Sequence, residues 1–339
     1  MADRIASWTA RMALAACLTA CVSTADSVAE GAQEAVIVRK DMVYGSGVVG
    51  APSAPRARDL TLDAYLPAGD GKPTPAIVMA FGGAFHRGSK GDFHFTEDGA
   101  QDSSMADYCR MFAANGIACF AIDYRLAPES PAFPDGARDA VTVPKALLDD
   151  PGAMARIALV RERMQLPPLD AESREAYWAT TFAATEDMGN ALAYVRQNAA
   201  AFGIDPTNIA IGGFSAGAIT AINLAYGTGA DVSAVVSLSG TIWGYDVTQT
   251  AQAGEPPLLL FAGQQDLPGI RWGSGEISRQ FSGRGIDVET AWVPGFGHFY
   301  PMGAPSLGAG FSRLSVEERI LDFLHRRFSA DTQDPTATP

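Results

Sequence analysis

The chain has 339 residues, of which 47% are hydrophobic and 19% are charged, enough apolar material for one large domain or two small ones. Its 25 basic residues stand against 38 acidic ones, so the formal net charge is −13. No cluster of lysine and arginine stands out along the sequence, which excludes nucleic acid as an expected partner because such binding usually needs a basic patch.

The N-terminal segment has a different character from the rest of the chain. Arg4 and Arg11 precede an apolar run that is too short to span a bilayer, a pattern that predicts a signal peptide over residues 1–20. The letters LTAC, ending at Cys21, resemble a bacterial lipobox, in which the cysteine is lipidated after cleavage and attaches the protein to a membrane. Ordinary cleavage after Ala25 is the alternative. We therefore expect an exported protein that is periplasmic, anchored to the outer membrane as a lipoprotein, or secreted.

After the leader, predicted strands alternate with predicted helices. The expected strands, in chain order, are EAVIVRKDMVYG, DLTLDAYLP, PAIVMAF, IACFAIDY, NIAIGGF, VSAVVSLSG, PPLLLFAG and IDVETAWV. Helices are expected at 104–114, at 187–201, from Ser215, at 277–282 and over SVEERILDFLHRRF. This alternation predicts an α/β domain over 36–329, with a mostly parallel central sheet that starts antiparallel and helices on both faces. The polar tail, 330–339, is predicted to be disordered.

One connection is longer than a crossover between strands requires. Nearly eighty residues separate DYRLAPE from the strand NIAIGGF, and the part over about 141–181 has helical periodicity of its own. We interpret that part as a helical insertion that precedes the crossover helix. It could form a lid over the site, with Met164 and Trp178 as apolar contacts, or it could be surface decoration.

Two cysteines, Cys109 and Cys119, lie beyond the leader. The first falls on a predicted helix and the second on a predicted buried strand, where a free cysteine is an ordinary small core residue. An oxidising compartment would permit a disulfide between them. We expect two free thiols.

The segment IGGFSAGAITA contains a candidate nucleophile. Residues 213–217 fit the pattern G-x-S-x-G, with Ser215 placed between a predicted strand and a predicted helix. Small neighbours allow the sharp turn that such a position needs, and the Ala216 N–H at the start of the helix is free to donate to an oxyanion. A glycine-rich turn with an incidental serine is the alternative.

A serine hydroxyl needs a base, and the chain has four histidines. His86 and His94 lie in the loop after the third strand and are interpreted as surface or positioning residues, while His325 falls on the terminal helix. His298 lies in a Gly/Pro-rich loop after a strand, where ligands bind in α/β sheets. We therefore predict that His298 is the base.

The acid that orients the base should also follow a strand. Asp266 does so, and it lies between Ser215 and His298 in the sequence, which is the α/β-hydrolase order. Asp123 and Arg125, in DYRLAP, precede the nucleophile and are interpreted as structural.

The loop FGGAFHRGSKG should complete an oxyanion hole. Its small residues allow the Gly83 and Ala84 N–H groups to approach a substrate oxygen, together with the N–H of Ala216. The side chains expected to line a substrate pocket are Phe85, Phe214, Trp243 and Trp178.

Five segments together resemble the α/β-hydrolase carboxylesterases of the hormone-sensitive-lipase-like or feruloyl/acetyl-esterase-like branch. They are FGGAFHRGS, DYRLAPE, GIDPTNIAIGGFSAGA, GQQDLPG and GFGHFY, within about residues 40–328. The usual HGGG of that group is FGGA here, with Phe81 and Ala84 in place of histidine and glycine. The resemblance implies Ser215, Asp266 and His298 as the catalytic triad, and Gly83, Ala84 and Ala216 as the oxyanion hole.

The predicted function is hydrolysis of a small or polymer-borne carboxylic ester through an acyl-enzyme, with no metal and no cofactor. A serine exopeptidase and a lactonase would use the same residues. A hydrolase-like binding protein without turnover is the alternative from another class.

Overall fold

The computed structural model describes residues 36–69 and 71–330. The predicted signal peptide, Cys21 and the tail 331–339 lie outside the described residues. The strands are β1 (Ile37–Val49), β2 (Arg56–Leu66), β3 (Thr74–Ala80), β4 (Thr96–Glu97), β5 (Ala100–Gln101), β6 (Ala118–Ile122), β7 (Ile204–Phe214), β8 (Val235–Leu238), β9 (Leu258–Gly263), β10 (Val288–Val293), β11 (Pro305–Leu307) and β12 (Arg313–Ser315). The helices are α1 (Met105–Ala114), α2 (Pro151–Arg163), α3 (Ala171–Gln197), α4 (Ala199–Phe202), α5 (Ala216–Ile222), α6 (Val247–Thr250), α7 (Pro268–Gly283) and α8 (Val316–Ala330).

Ten of the described strands form one mixed sheet in the order β1-β2-β6-β3-β7-β8-β9-β10-β11-β12. Strands β6, β3, β7, β8, β9 and β10 run parallel, whereas β1 and β2 are antiparallel to their neighbours, as the sequence predicted. The short antiparallel strands β11 and β12 at the other edge were not predicted, because three-residue strands carry too little periodicity to be recognised. Strands β4 and β5 form a separate hairpin.

The direction of the crossovers places the helices on the two faces of the sheet. The chain passes from β3 through α1 to β6, its neighbour on one side in the sheet. It then returns past β3 through α3 to β7, which lies on the other side of β3. Because such crossovers are right-handed, α1 and α3 lie on opposite faces. In agreement, α1 contacts α8 and α3 contacts α5. This is the predicted α/β architecture, and α5 packs behind the turn that carries Ser215.

The helical insertion differs from its predicted bounds. The crossover helix expected over 187–201 begins sixteen residues earlier, as α3, where the Asp170 side chain caps it by accepting from the Ser173 N–H. The residues from Ala171 to 181 therefore belong to the crossover helix, and the insertion proper contains α2. Boundary prediction failed here because α3 is buried on several sides in its middle, so its apolar residues form no single stripe.

The expectation of free thiols is wrong. Cys109 on α1 and Cys119 on β6 form a disulfide, with their Cα atoms 5.0 Å apart. Both residues are fully buried, as expected, but the crossover from α1 to β6 brings them within bonding distance. Within the described residues, no helix is both long enough and apolar enough to cross a bilayer.

Candidate active site

The three predicted catalytic side chains meet at one edge of the sheet. Ser215 lies in the turn between β7 and α5, Asp266 follows β9, and His298 follows β10. These strands are parallel, so their carboxyl ends meet at the edge where α/β sheets bind ligands.

The distances form a continuous hydrogen-bonded chain. His298 Nδ1 lies 2.7 Å from Asp266 Oδ1, and His298 Nε2 lies 2.9 Å from Ser215 Oγ. An ionised carboxylate can only accept, so Nδ1 donates to Asp266, and Nε2 of the neutral ring is left to accept the Ser215 proton. All three residues are less than 10% exposed. The arrangement can therefore generate a serine nucleophile.

The turn at Ser215 requires its two flanking glycines. Ser215 has φ 51° and ψ −112°, a strained conformation that aims the hydroxyl out of the turn. A Cβ on Gly213 would lie 2.5 Å from the Ala80 carbonyl oxygen, and one on Gly217 would lie 2.0 Å from the same atom. The turn passes so close to β3 that only glycine fits at both positions.

Asp266 is held by more partners than the sequence suggested. Its Oδ1 also accepts from the Leu267 N–H at 2.8 Å, while its Oδ2 accepts from Ser239 Oγ at 2.6 Å and from the Gly263 N–H at 3.1 Å. Ser239 is itself 3.0 Å from the Tyr300 hydroxyl. Sequence reasoning missed Ser239 and Tyr300; the position of Ser239 directly after β8 was the signal that could have found it.

Of the predicted oxyanion residues, Ala84 and Ala216 line the same cavity as Ser215. Gly83, Ala84 and Phe85 have consecutive positive φ values of 117°, 58° and 59°, which turn the loop back on itself after β3. Among the described residues, neither the Gly83 nor the Ala84 N–H donates to a backbone carbonyl outside the regular elements or to a side chain. The Ala216 N–H is at the first position of α5, where it has no intrahelical acceptor.

A cavity of about 600 Å³ opens onto Ser215. Of the predicted pocket residues, Phe85 and Trp243 line it, together with Ala84 and Ala216. Its other lining residues come from the insertion, from the hairpin residue Glu97, from α3 and α5, from the loop after β8 and from the region around the start of α7. The insertion contributes Leu147, Gly152, Ala153, Ala155, Arg156, Ile157 and Leu159.

Two predicted pocket residues do not line this cavity. The Phe214 ring packs 5.7 Å from the His298 imidazole and stacks on Phe299, so it supports the histidine from behind. Trp178 is buried on α3 and packs edge-on against Trp243, one layer away from the cavity. Met164, proposed as a lid contact, also lies outside the lining.

The other residues that the sequence singled out make contacts that stabilise the fold. Arg125 forms a buried ion pair with Asp187 at 2.7 Å and a second ion pair with the partly exposed Glu186 at 2.6 Å, rather than pairing with Asp123. His86 is 1% exposed, so its interpretation as a surface residue is wrong, and its Nδ1 donates to the Ala84 carbonyl oxygen at 2.8 Å.

Comparison with known families identifies this arrangement. The BD-FAE model matches residues 62–145 and 171–233, a region that contains both the oxyanion loop and the Ser215 turn. Over these residues the chain is similar to the BD-FAE family. That family comprises bifunctional feruloyl/acetyl esterases of the α/β-hydrolase fold, so the match supports the predicted carboxylesterase and favours the second of the two predicted branches.

Solved structures agree on the fold of the chain. The chain is similar to Thermogutta terrifontis esterase 2 phosphorylated by paraoxon, with 18% identity, a TM-score of 0.51, and coverage of 88% of this chain and 94% of that one. The apo form of that esterase gives 18% identity and a TM-score of 0.50, with 89% and 96% covered. The butyrate-bound form gives the same identity and TM-score, with 91% and 98% covered. No curated protein matches the chain.

The buried His86 makes the stability of this protein depend on pH. Burial lowers the pKa of His86 from 6.5 to about 4; the Ala84 carbonyl opposes the change, and the Arg161 and Arg87 charges add to it. Between those values the unfolded chain binds a proton at this residue that the folded chain does not. Stability from His86 is therefore lost as the pH falls from about 6.5 to about 4, by on the order of 3 kcal/mol.

The variant His86→Asn isolates this effect, because the asparagine amide can still donate to Ala84 but does not titrate. We expect urea unfolding of the wild type to lose about 3 kcal/mol relative to His86→Asn between pH 6.5 and pH 4. A free-energy difference between the two proteins that stays constant over this range would contradict the prediction.

Proposed function

We propose that this esterase forms an acyl-enzyme on Ser215. His298 Nε2 removes the Ser215 proton as Oγ attacks the ester carbonyl, and Asp266 holds the imidazole in the required orientation and stabilises its positive charge. The alcohol leaves with the proton from His298. Water is then deprotonated by His298 and attacks the acyl-enzyme, which releases the acid and restores Ser215. The 2.9 Å and 2.7 Å contacts of His298 carry this proposal.

The negative charge that develops on the carbonyl oxygen would be held by backbone donors. Ala216 and Ala84 line the cavity that opens onto Ser215, Gly83 directly precedes Ala84, and none of the three N–H groups needs a side chain to act. The replacement of the third glycine of HGGG by Ala84 is compatible with this role, because a methyl group leaves the N–H intact.

The substrate that we propose is an ester with a small acyl group. A cavity of about 600 Å³ with mostly apolar lining is of the size that holds a small organic ligand. The Thermogutta terrifontis esterase with the same fold binds butyrate. A panel of 4-nitrophenyl esters from acetate to decanoate tests this proposal, and we expect a maximum of kcat/KM at four carbons or fewer. A maximum at octanoate or decanoate would overturn it.

The same panel should include competitors that would use the same residues. A matched 4-nitroanilide tests amide cleavage and γ-butyrolactone tests lactone opening. We expect both to react far more slowly than the butyrate ester, and a faster amide than ester would favour an exopeptidase.

We also propose that the insertion forms one wall of the acyl site. Helix α2 places Ala153, Arg156 and Ile157 along the cavity, whereas Ala158 on the same helix is exposed and outside it. Ala153→Trp should narrow the cavity and reduce kcat/KM for hexanoate by at least about tenfold relative to acetate. The control Ala158→Trp should leave this ratio unchanged. An unchanged ratio in Ala153→Trp would assign the insertion to surface decoration.

Export of the protein is proposed on two observations. Residues 1–20 have the pattern of a signal peptide with a lipobox ending at Cys21, and the Cys109–Cys119 disulfide is typical of an oxidising compartment. Mass spectrometry of the mature N-terminus tests both cleavage sites: a lipidated Cys21 or a terminus after Ala25 supports export, and retention of Met1 would contradict it.

A further inference from the structure

Four arginines lie near the active-site cavity, and one of them, Arg156, lines it. They are Arg87, which follows the oxyanion loop, and Arg156, Arg161 and Arg163 of α2. Within the described part of the chain, Glu97 is the only carboxylate in ion-pair contact with any of them. Such an excess of positive charge is unexpected in a chain with a net charge of −13.

Both carboxylate oxygens of Glu97 already accept hydrogen bonds from two of the four guanidinium groups. Its oxygens accept from Arg156 Nη1 at 2.6 Å and Nη2 at 3.0 Å, and from Arg163 Nη1 at 2.5 Å. These contacts lower the pKa of Glu97 to about 2 despite its burial, so the carboxylate is charged at any physiological pH. Each guanidinium has five N–H donors, and most of those on Arg163 are left over.

The other two arginines have no carboxylate partner. Among the described residues the Arg87 side chain forms no ion pair or hydrogen bond; its Nε is buried and its guanidinium lies 5.0 Å from the Phe95 ring centre. Arg161 is 8% exposed and reaches only the Pro167 carbonyl at 2.9 Å and His86 Nε2 at 3.5 Å. Hydrogen bonds from Ser173 lower the pKa of the exposed Asp170, and the charge of Arg161 adds to this effect. The Asp170 carboxylate caps α3, however, and forms no ion pair with Arg161.

The cluster is close to the reacting groups. Arg156 lines the cavity and lies 5.7 Å from the Phe299 ring centre, and that ring lies 5.0 Å from the His298 imidazole. Phe95, beneath Arg87, stacks on Phe299 at 5.4 Å. Two guanidinium groups therefore lie on a pair of stacked rings beside the catalytic histidine.

Partly buried cations without counter-charge are costly, and a bound anion would offset that cost. We propose that this cluster binds a carboxylate on the substrate, so that the preferred esters carry an anionic group on their acyl or alcohol part. The guanidinium fork matches a carboxylate in shape and charge, and several donors remain to receive it. This inference rests on the proposed function and specifies its substrate class.

Two pairs of matched esters test the inference. On the acyl side, 4-nitrophenyl hydrogen glutarate is compared with 4-nitrophenyl valerate; on the alcohol side, 4-carboxyphenyl butyrate is compared with 4-carbamoylphenyl butyrate. The rate with Ser215→Ala is subtracted, because a free carboxylate can attack its own ester. At low ionic strength we expect kcat/KM to favour the anion by at least about tenfold in one pair, and the preference to shrink near 0.15 M salt.

Variants identify the groups responsible. Arg87→Gln should reduce the anionic-to-neutral ratio toward one, and so should Arg163→Gln, whose side chain is 41% exposed and therefore tolerant of change. Arg138→Gln, a 68% exposed arginine paired with Asp135, is the control and should leave the ratio unaltered. No preference for the anion in either pair, or a preference that survives both variants, would overturn the inference. Loss of hydrolysis of the neutral esters would instead count against the proposed function.

Discussion

Replacing Ser215 by alanine should reduce kcat for 4-nitrophenyl butyrate by on the order of 10⁴- to 10⁶-fold. The Ser215 hydroxyl is the group that His298 Nε2 faces at 2.9 Å, and no other hydroxyl is in hydrogen-bond contact with that nitrogen among the described residues. What activity remains would come from the oxyanion donors acting on water.

The fold should survive this change. Alanine keeps the Cβ of serine, so the strained turn meets no new contact, and the loss of one hydrogen bond costs about 1 kcal/mol. Circular dichroism and the thermal midpoint should therefore change little. Ser282→Ala, an exposed serine on α7, is the matched control and should retain full activity. A Ser215→Ala protein that is folded and fully active would refute the assigned nucleophile.

Asp266→Asn should have the second largest effect, a fall in kcat of about 10³- to 10⁴-fold. Both carboxylate oxygens already accept from backbone N–H groups, Oδ1 from Leu267 and Oδ2 from Gly263. In either orientation the asparagine NH₂ group therefore faces a backbone donor. His298 would lose its negatively charged partner, and with it the preference for the tautomer that accepts at Nε2.

The contact between the asparagine NH₂ group and a backbone N–H should also lower the free energy of unfolding, by roughly 1–3 kcal/mol, because a buried N–H is left without an acceptor. Steady-state kinetics and urea unfolding measure the two effects. The control is Asp135→Asn, whose side chain is 89% exposed and should affect neither quantity. A normal kcat in Asp266→Asn would require another acid to orient His298.

Much of this protein could be predicted from the sequence because its signals are local. The continuous apolar letters of β3 and β7 indicate strands buried on both faces. The glycines at 213 and 217 mark the turn at Ser215 because backbone atoms of β3 pass within the space that a Cβ would need. The residues Asp266 and His298 follow strands whose parallel direction could be inferred, which brings their loops to one edge.

Other features depended on residues far apart in sequence. Periodicity could not reveal that α3 begins at Ala171, because a helix buried on several sides has no single apolar stripe. The pairing of Cys109 with Cys119 depended on how α1 packs on β6. Phe214 ends a strand whose last seven residues are all buried, and only packing decided that it supports His298 instead of lining the cavity.

The sequence by itself determined the fold class and predicted the nucleophile, its base and its acid, since each lies in a short motif next to a recognisable strand. Only the tertiary structure decided what surrounds them. Arg87 and the arginines of α2 are separated by about seventy residues, and no run of basic letters announces them. They are close in space because the insertion folds over the oxyanion loop. Residues that are far apart in sequence and come together only on folding form no local pattern from which their proximity could be predicted.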